Sequence, residues 1–140
     1  MKIYFCGSVQ GGRQDAELYA TIIDELKSNY GQVLTEYVGS LTAPQDEMNL
    51  GHKATHQLCL NKLTECDVLV AEVTQPSLGV GYEIGRAVAM NKKILCLFRP
   101  TSGKKLSCMI DGLDDEQNVV VIYYEEKDLK DILKSYFQKI

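Results

Sequence analysis

Apolar residues fall along this chain in two rhythms. Lys2–Phe5, Val33–Val38, Val68–Val73, Ile94–Phe98 and Val119–Tyr123 are short, nearly continuous runs rich in Val, Ile, Leu and aromatic residues. Runs of this length and composition read as strands buried on both faces. Between them lie amphipathic stretches. Leu18, Ile22 and Leu26 recur at helical spacing with Tyr19 and Ile23 alongside, and Leu129, Ile132, Leu133, Tyr136 and Phe137 form a second stripe near the C-terminus. Gly79–Asn91 predicts a further helix, His56–Cys66 a weaker one, and Ser107–Ile110 a short helical turn.

The resulting order, β-α-β-α-β-α-β-(α)-β-α, predicts an α/β fold: a five-stranded parallel sheet with helices on both faces, joined by right-handed crossovers. The length, 140 residues, suits a single domain spanning 1–140. In such sheets ligands bind outside the carboxyl ends of the strands. The loops that matter are therefore Cys6–Arg13, Gly39–Leu50, Thr74–Gly79 and Arg99–Leu106. The second is long and polar, and is expected to be a mobile lid.

Composition narrows the function classes. The hydrophobic fraction of 45% is enough for a real core, and a formal charge of −4 gives no broad footprint for a nucleic-acid polymer or a membrane surface. An anionic ligand must then be held by local devices. The five cysteines, Cys6, Cys59, Cys66, Cys96 and Cys108, are odd in number and contain no CxxC pair. That argues against a disulfide framework or structural zinc; all but Cys59 read as buried thiols in a reducing compartment. The N-terminus lacks the apolar region of a signal peptide, and no run is long enough to span a membrane, so a soluble intracellular protein is expected.

Three loops have candidate chemistry. Cys6-Gly7-Ser8-Val9-Gln10-Gly11-Gly12-Arg13 leaves a strand and enters a helix. Its glycines let backbone N–H groups approach an anion, but it is neither a Walker loop nor GxGxxG, and a plain tight turn explains it as well. In the segment Glu72–Arg86, a strand ends in a polar turn and a helix starts near Gly79 and Gly81. Ser77 is placed to cap that helix or to bind a phosphate oxygen. Glu83 follows about one turn in, with Gly79 and Gly85 flanking it. Periodicity alone leaves two readings of Glu83: a helix-start carboxylate favoured by the dipole, or a functional carboxylate beside a phosphate loop. The third loop, Arg99–Met109, is basic and hydroxyl-rich, and serves equally as a phosphate site or a solvated connection.

Together these segments resemble a known family. Tyr4-Phe5-Cys6-Gly7-Ser8, Gly11-Gly12-Arg13, and the long block Ala71-Glu72-Val73-Thr74-Gln75-Pro76-Ser77-Leu78-Gly79-Val80-Gly81-Tyr82-Glu83 are similar to the 2'-deoxynucleoside 5'-monophosphate N-hydrolases, a branch of the nucleoside 2-deoxyribosyltransferase superfamily. The likeness continues through Gly85–Ala89, Ile94–Pro100, Ser102-Gly103 and Leu106-Ser107. It implies a Rossmann-like, flavodoxin-like sheet, a homodimer and cleavage of a nucleoside 5'-monophosphate to free base and deoxyribose 5-phosphate without metal or organic cofactor. It also implies a cytoplasmic and nuclear location. By resemblance Glu83 is the nucleophile and Tyr4 an active-site partner, placed to hydrogen-bond Glu83 and crowd the 2' position. Gly7 to Arg13 form the ligand loop. Ser77, Gly79, Ser107 and Met109 fall with the phosphate-binding residues, Ser107 reaching the partner subunit's site. The chemistry is coherent: a carboxylate below the sugar stabilises or bonds to the oxocarbenium-like anomeric carbon, while the phosphate positions the ring.

The chain departs from the pattern at one position. The family carries an aspartate about two turns before the third strand, where it assists the departing base; here that position is Cys59. A positioned acid contributes on the order of 10²–10⁴-fold, and a thiol, with a reference pKa of about 8.5, is a poorer acid than a carboxyl. Three expectations stay open: a slower enzyme, one limited to bases that leave easily, or a nucleotide-binding protein without turnover. His56, one turn earlier, is a candidate substitute acid. A deoxyribosyltransferase is the remaining alternative, disfavoured by the phosphate-side serines.

Overall fold

A computed structural model describes all residues 1–140. The elements are β1 (Lys2–Cys6), α1 (Ala16–Asn29), β2 (Gln32–Val33), α2 (Ala43–Leu50), α3 (His52–Glu65), β3 (Val68–Glu72), α4 (Leu78–Ala89), β4 (Lys93–Phe98), α5 (Cys108–Asp111), β5 (Val119–Tyr123) and α6 (Leu129–Phe137). The five strands form one all-parallel sheet in the order β2-β1-β3-β4-β5. The order reverses between β1 and β3, so the loops after these two strands diverge and open a crevice at their carboxyl ends.

Strand alternation sorts the core into two layers. Ile3, Phe5, Val68, Val70, Leu95 and Leu97 pack against α1 and α6. Tyr4, Cys6, Leu69, Ala71, Ile94 and Cys96 face the side occupied by α3 and α4. Two residues apart on β1, Tyr4 and Cys6 therefore point the same way, toward the helix that carries Glu83. The central strands are buried at every position but Lys93 at the start of β4, which explains why the sequence shows them as unbroken apolar runs.

The structure revises three expectations. The second strand is two residues long rather than the run Val33–Val38, and Glu36–Gly39 is a turn of 3-10 helix. The cause is Thr35. Its buried hydroxyl accepts from Phe5 N (2.9 Å) and donates to Phe5 O (2.6 Å), so a side chain takes over the pairing to β1 and the backbone is free to turn away. The segment Gly39–Leu50 is no open polar loop, because Ala43–Leu50 is helical. Only Ala43 of α2 is buried, which leaves no apolar stripe to read, and Pro44 breaks no bond because it stands in the first turn. Cys6, Cys66 and Cys96 are buried as expected, whereas Cys108 is exposed.

Candidate active site

The crevice at the switch point is walled by the loop after β1, the start of α4, and the pair α2–α3. It has two lobes. One, about 320 Å³, lies between the glycine loop and the α4 start and is lined by Gly7, Val9, Gly11, Ser77, Leu78 and Val80 among others. The other, about 290 Å³, is lined by Met48, His52, His56, Cys59, Leu60 and Tyr82 among others. Gln10, Glu47, Gly79 and Glu83 line both lobes, so two carboxylates stand where the lobes meet.

The glycine loop has structural reasons of its own. A Cβ on Gly7 would lie 2.8 Å from the Tyr19 ring, and Gly12 has φ of +132°, in the region that favours glycine. Ser8 is fully buried; its N–H donates to the Tyr19 hydroxyl (3.1 Å) and its Oγ has no partner. Arg13 turns inward. It donates to Ser8 O (2.9 Å), Val38 O (2.7 Å) and Ser40 O (2.7 Å), and its guanidinium lies over the Tyr19 ring. In this structure Arg13 braces the loop, and Gly7, Val9, Gln10 and Gly11 are what line the cleft. Arg99 is likewise committed elsewhere: it pairs with Asp15, the fully buried Glu72 and Glu126. That removes it from the anion-binding reading of its loop.

Ser77 is the N-cap of α4, its Oγ accepting from Val80 N at 3.3 Å. Glu83 stands six residues past this cap, and the first turn of α4 contains no acidic residue. The dipole reading of Glu83 therefore fails, since that effect fades beyond the first turn. Gly81 and Gly85 have open space where a Cβ would stand. Burial pushes the Glu83 carboxyl up to about 7, with donors on Tyr4 and Cys6 opposing the rise and the charge of Glu47 adding to it. The Tyr4 hydroxyl is in turn pushed far above its ordinary range, chiefly by burial and then by Glu83. Proximity to Glu83 thus favours Tyr4 staying a neutral donor.

Cys59 reaches the same centre from α3. The Tyr37 hydroxyl lies 3.6 Å from its Sγ, and Cys59 is among the groups that push the Tyr4 hydroxyl up. His56 stands nearer the rim, its Nε2 2.8 Å from the Tyr82 hydroxyl, which also accepts from Arg86 at 3.1 Å. Ser107 and Met109 do not line either lobe. Ser107 caps the short helix α5, accepting from Met109 N, and both residues line an adjoining groove, about 680 Å³, that shares Gly11, Ser77, Leu78 and Val80 with the glycine-loop lobe. Sequence reasoning missed Glu47 and Tyr37. Both come from the polar stretch after β2, where nothing in the pattern marks a functional side chain.

A buried carboxylate at the meeting point of a glycine-loop lobe and a largely apolar lobe, in a doubly wound parallel sheet, defines a nucleotide-type cleft with acid–base or nucleophilic capacity. Comparison with known proteins gives the family. The pattern of the nucleoside 2-deoxyribosyltransferases matches residues 3–123, and the chain belongs to that family. It is 54% identical to the 5-hydroxymethyl-dUMP N-hydrolase of Danio rerio over 142 aligned residues, covering 100% of this chain and 98% of that protein. It is 51% identical to the 5-hydroxymethyl-dUMP N-hydrolase of Homo sapiens, covering 97% of this chain and 79% of that one. The solved structure of the CMP N-glycosidase of Clostridium botulinum shares the fold, with a TM-score of 0.70 over 97% of this chain and 99% of that chain at 24% identity. No helix is long and apolar enough to cross a membrane.

Proposed function

We propose that this protein hydrolyses the N-glycosidic bond of 2'-deoxynucleoside 5'-monophosphates, releasing the free base and 2-deoxyribose 5-phosphate, with Glu83 as the nucleophile. The observation that carries the reading is the position of Glu83 at the junction of the two lobes. A nucleotide laid with its phosphate at the glycine loop and its base against Cys59, Leu60 and Tyr82 has its anomeric carbon at that junction. The relatives named for hydrolysis of 5-hydroxymethyl-dUMP support the substrate class, and make that nucleotide the first to assay.

The ionised Glu83 attacks the anomeric carbon as the base leaves, and water then opens the glycosyl ester. Tyr4 holds the carboxylate in place and lies beneath the 2' position, where a hydroxyl would crowd it. Backbone N–H groups of Gly7, Val9, Gln10 and Gly11 and of the start of α4, with Ser77, bind the phosphate without requiring net positive charge. No residue of the cleft calls for a metal or organic cofactor in these steps.

The functional unit in this reading is a homodimer. Leu78 is 97% exposed and Met109 80% exposed on the groove that also holds Ser77 and Ser107, and a second copy covering this face would bring Ser107 toward the partner's phosphate lobe. Five free cysteines, three of them buried, suit the reducing cytoplasm and nucleus.

The test is chromatographic detection of free base from a panel of monophosphates, with Glu83→Ala as control. Release at the parent's rate by that variant would remove Glu83 as nucleophile. Cys59 motivates a second reading, a nucleotide-binding homologue without turnover. It predicts monophosphate binding with no base released, and activity appearing on Cys59→Asp. Adding a second free base separates hydrolysis from deoxyribosyl transfer.

A further inference from the structure

The Cys59 substitution leaves the reaction without the carboxyl that would protonate the departing base. A different carboxyl stands in the same cleft. Glu47, near the end of α2, is one of four residues that line both lobes, and the only acidic one besides Glu83. Its geometry is fixed from both ends. The Glu47 carbonyl accepts from Gly51 N (3.0 Å) and the Thr55 hydroxyl (3.2 Å), which ties α2 to α3. Its carboxylate accepts from the Tyr37 hydroxyl (3.3 Å) on one oxygen and from Gln10 Nε2 (3.2 Å) on the other. The same Tyr37 hydroxyl lies 3.6 Å from Cys59 Sγ, so Glu47 is one hydroxyl away from the position where an aspartate is missing.

We propose that Glu47 is the catalytic acid of this chain, delivered by α2 to the junction of the lobes and doing there what a carboxyl at position 59 would otherwise do. The proposal rests on the N-hydrolase reading above and adds a residue to it. In the first step an electron pair of the Glu83 carboxylate bonds to the anomeric carbon. The C–N bond pair stays with the base, and the Glu47 proton moves to a ring nitrogen or carbonyl oxygen of the base. In the second step Glu47, now a carboxylate, takes a proton from water as the water oxygen attacks the anomeric carbon and the bond to Glu83 breaks. The sum is nucleotide plus water giving base plus deoxyribose phosphate, with both side chains restored. His56 is the rival acid, but its Nε2 is engaged by the Tyr82 hydroxyl at the exposed rim.

The experiment compares two substrates in the parent, Glu47→Gln and Glu47→Gln/Cys59→Asp. One is a deoxynucleoside 5'-monophosphate; the other is 4-nitrophenyl 2-deoxyribofuranoside 5-phosphate, whose leaving group needs no proton. Glu47→Gln is expected to cut base release by about 10²–10⁴-fold, and to lower kcat/KM for nitrophenolate less than about tenfold. The variant's nitrophenolate trace should show a burst followed by slow turnover, because deglycosylation has lost its base. Cys59→Asp in the Glu47→Gln background should recover at least about tenfold of base release, since it returns a carboxyl to the Tyr37 hydroxyl. Equal losses on both substrates, or no loss, overturns the proposal. A parent that releases nitrophenolate but no base overturns it too, while leaving Glu83 as nucleophile. A parent that releases neither removes the N-hydrolase reading and this inference with it.

Discussion

Replacing Tyr4 with Phe removes the hydroxyl that Glu83 draws on and nothing else of size, because Tyr4 is buried in the layer facing α3 and α4. Burial holds the Glu83 carboxyl at about 7, and the Tyr4 hydroxyl is the first of the groups that oppose that rise. A hydrogen bond to a charged acceptor contributes about 1.5–3 kcal/mol, which is about 1–2 pKa units at 1.36 kcal/mol per unit. Without it the Glu83 carboxyl rises further, since the largest group opposing its burial is gone. At pH 7 about half of Glu83 is ionised in the parent, and a much smaller fraction in the variant. Base release at pH 7 should then fall by about 5- to 50-fold, and the acidic limb of its pH profile should move to higher pH. The assay is kcat/KM for base release from pH 5 to 10 in both proteins. An acidic limb that stays near pH 7 in Tyr4→Phe, or a loss that is the same at every pH, would refute the claim that Tyr4 acts through the ionisation of Glu83.

Glu83→Gln should stabilise the fold above neutrality. A carboxyl raised from 4.5 to about 7 in the native state contributes its stability fully below pH 4.5, and loses it as the pH rises through 7, by up to about 3 kcal/mol. Thermal melts should therefore show the variant and parent alike near pH 4.5 and the variant ahead at pH 8; a constant gap would contradict the burial argument. Thr35→Val strips both partners from the Phe5 backbone and should cost about 2–4 kcal/mol in urea unfolding, well beyond an ordinary surface change. Leu78→Asp should yield a monomer by sedimentation and weaken monophosphate binding more than base release from saturated enzyme; a monomeric parent would end the dimer reading.

The sheet was legible because its strands are buried on both faces. Val68–Val73 and Ile94–Phe98 must be apolar at nearly every position, and that cannot be hidden in a sequence. Glu83 and Ser77 were legible through the long block around them and through Ser77's place as a helix cap. Periodicity alone left Glu83 open to a dipole role, and that was settled by where α4 begins. The second strand and the polar segment after it misled, for related reasons. Thr35 pairs through its side chain, so an apolar run does not predict a ladder, and α2 buries one alanine, so no stripe betrays a helix. What the sequence by itself determined is the parallel α/β layering and the residues at the two central loops. What only the tertiary structure decided is which groups converge on Glu83. Glu47, Tyr37 and Cys59 lie in stretches with no common period and meet because α2 and α3 fold over the crevice. Arg13 and Arg99, cationic by sequence, are spent on carbonyls and carboxylates that only the folded chain brings to them.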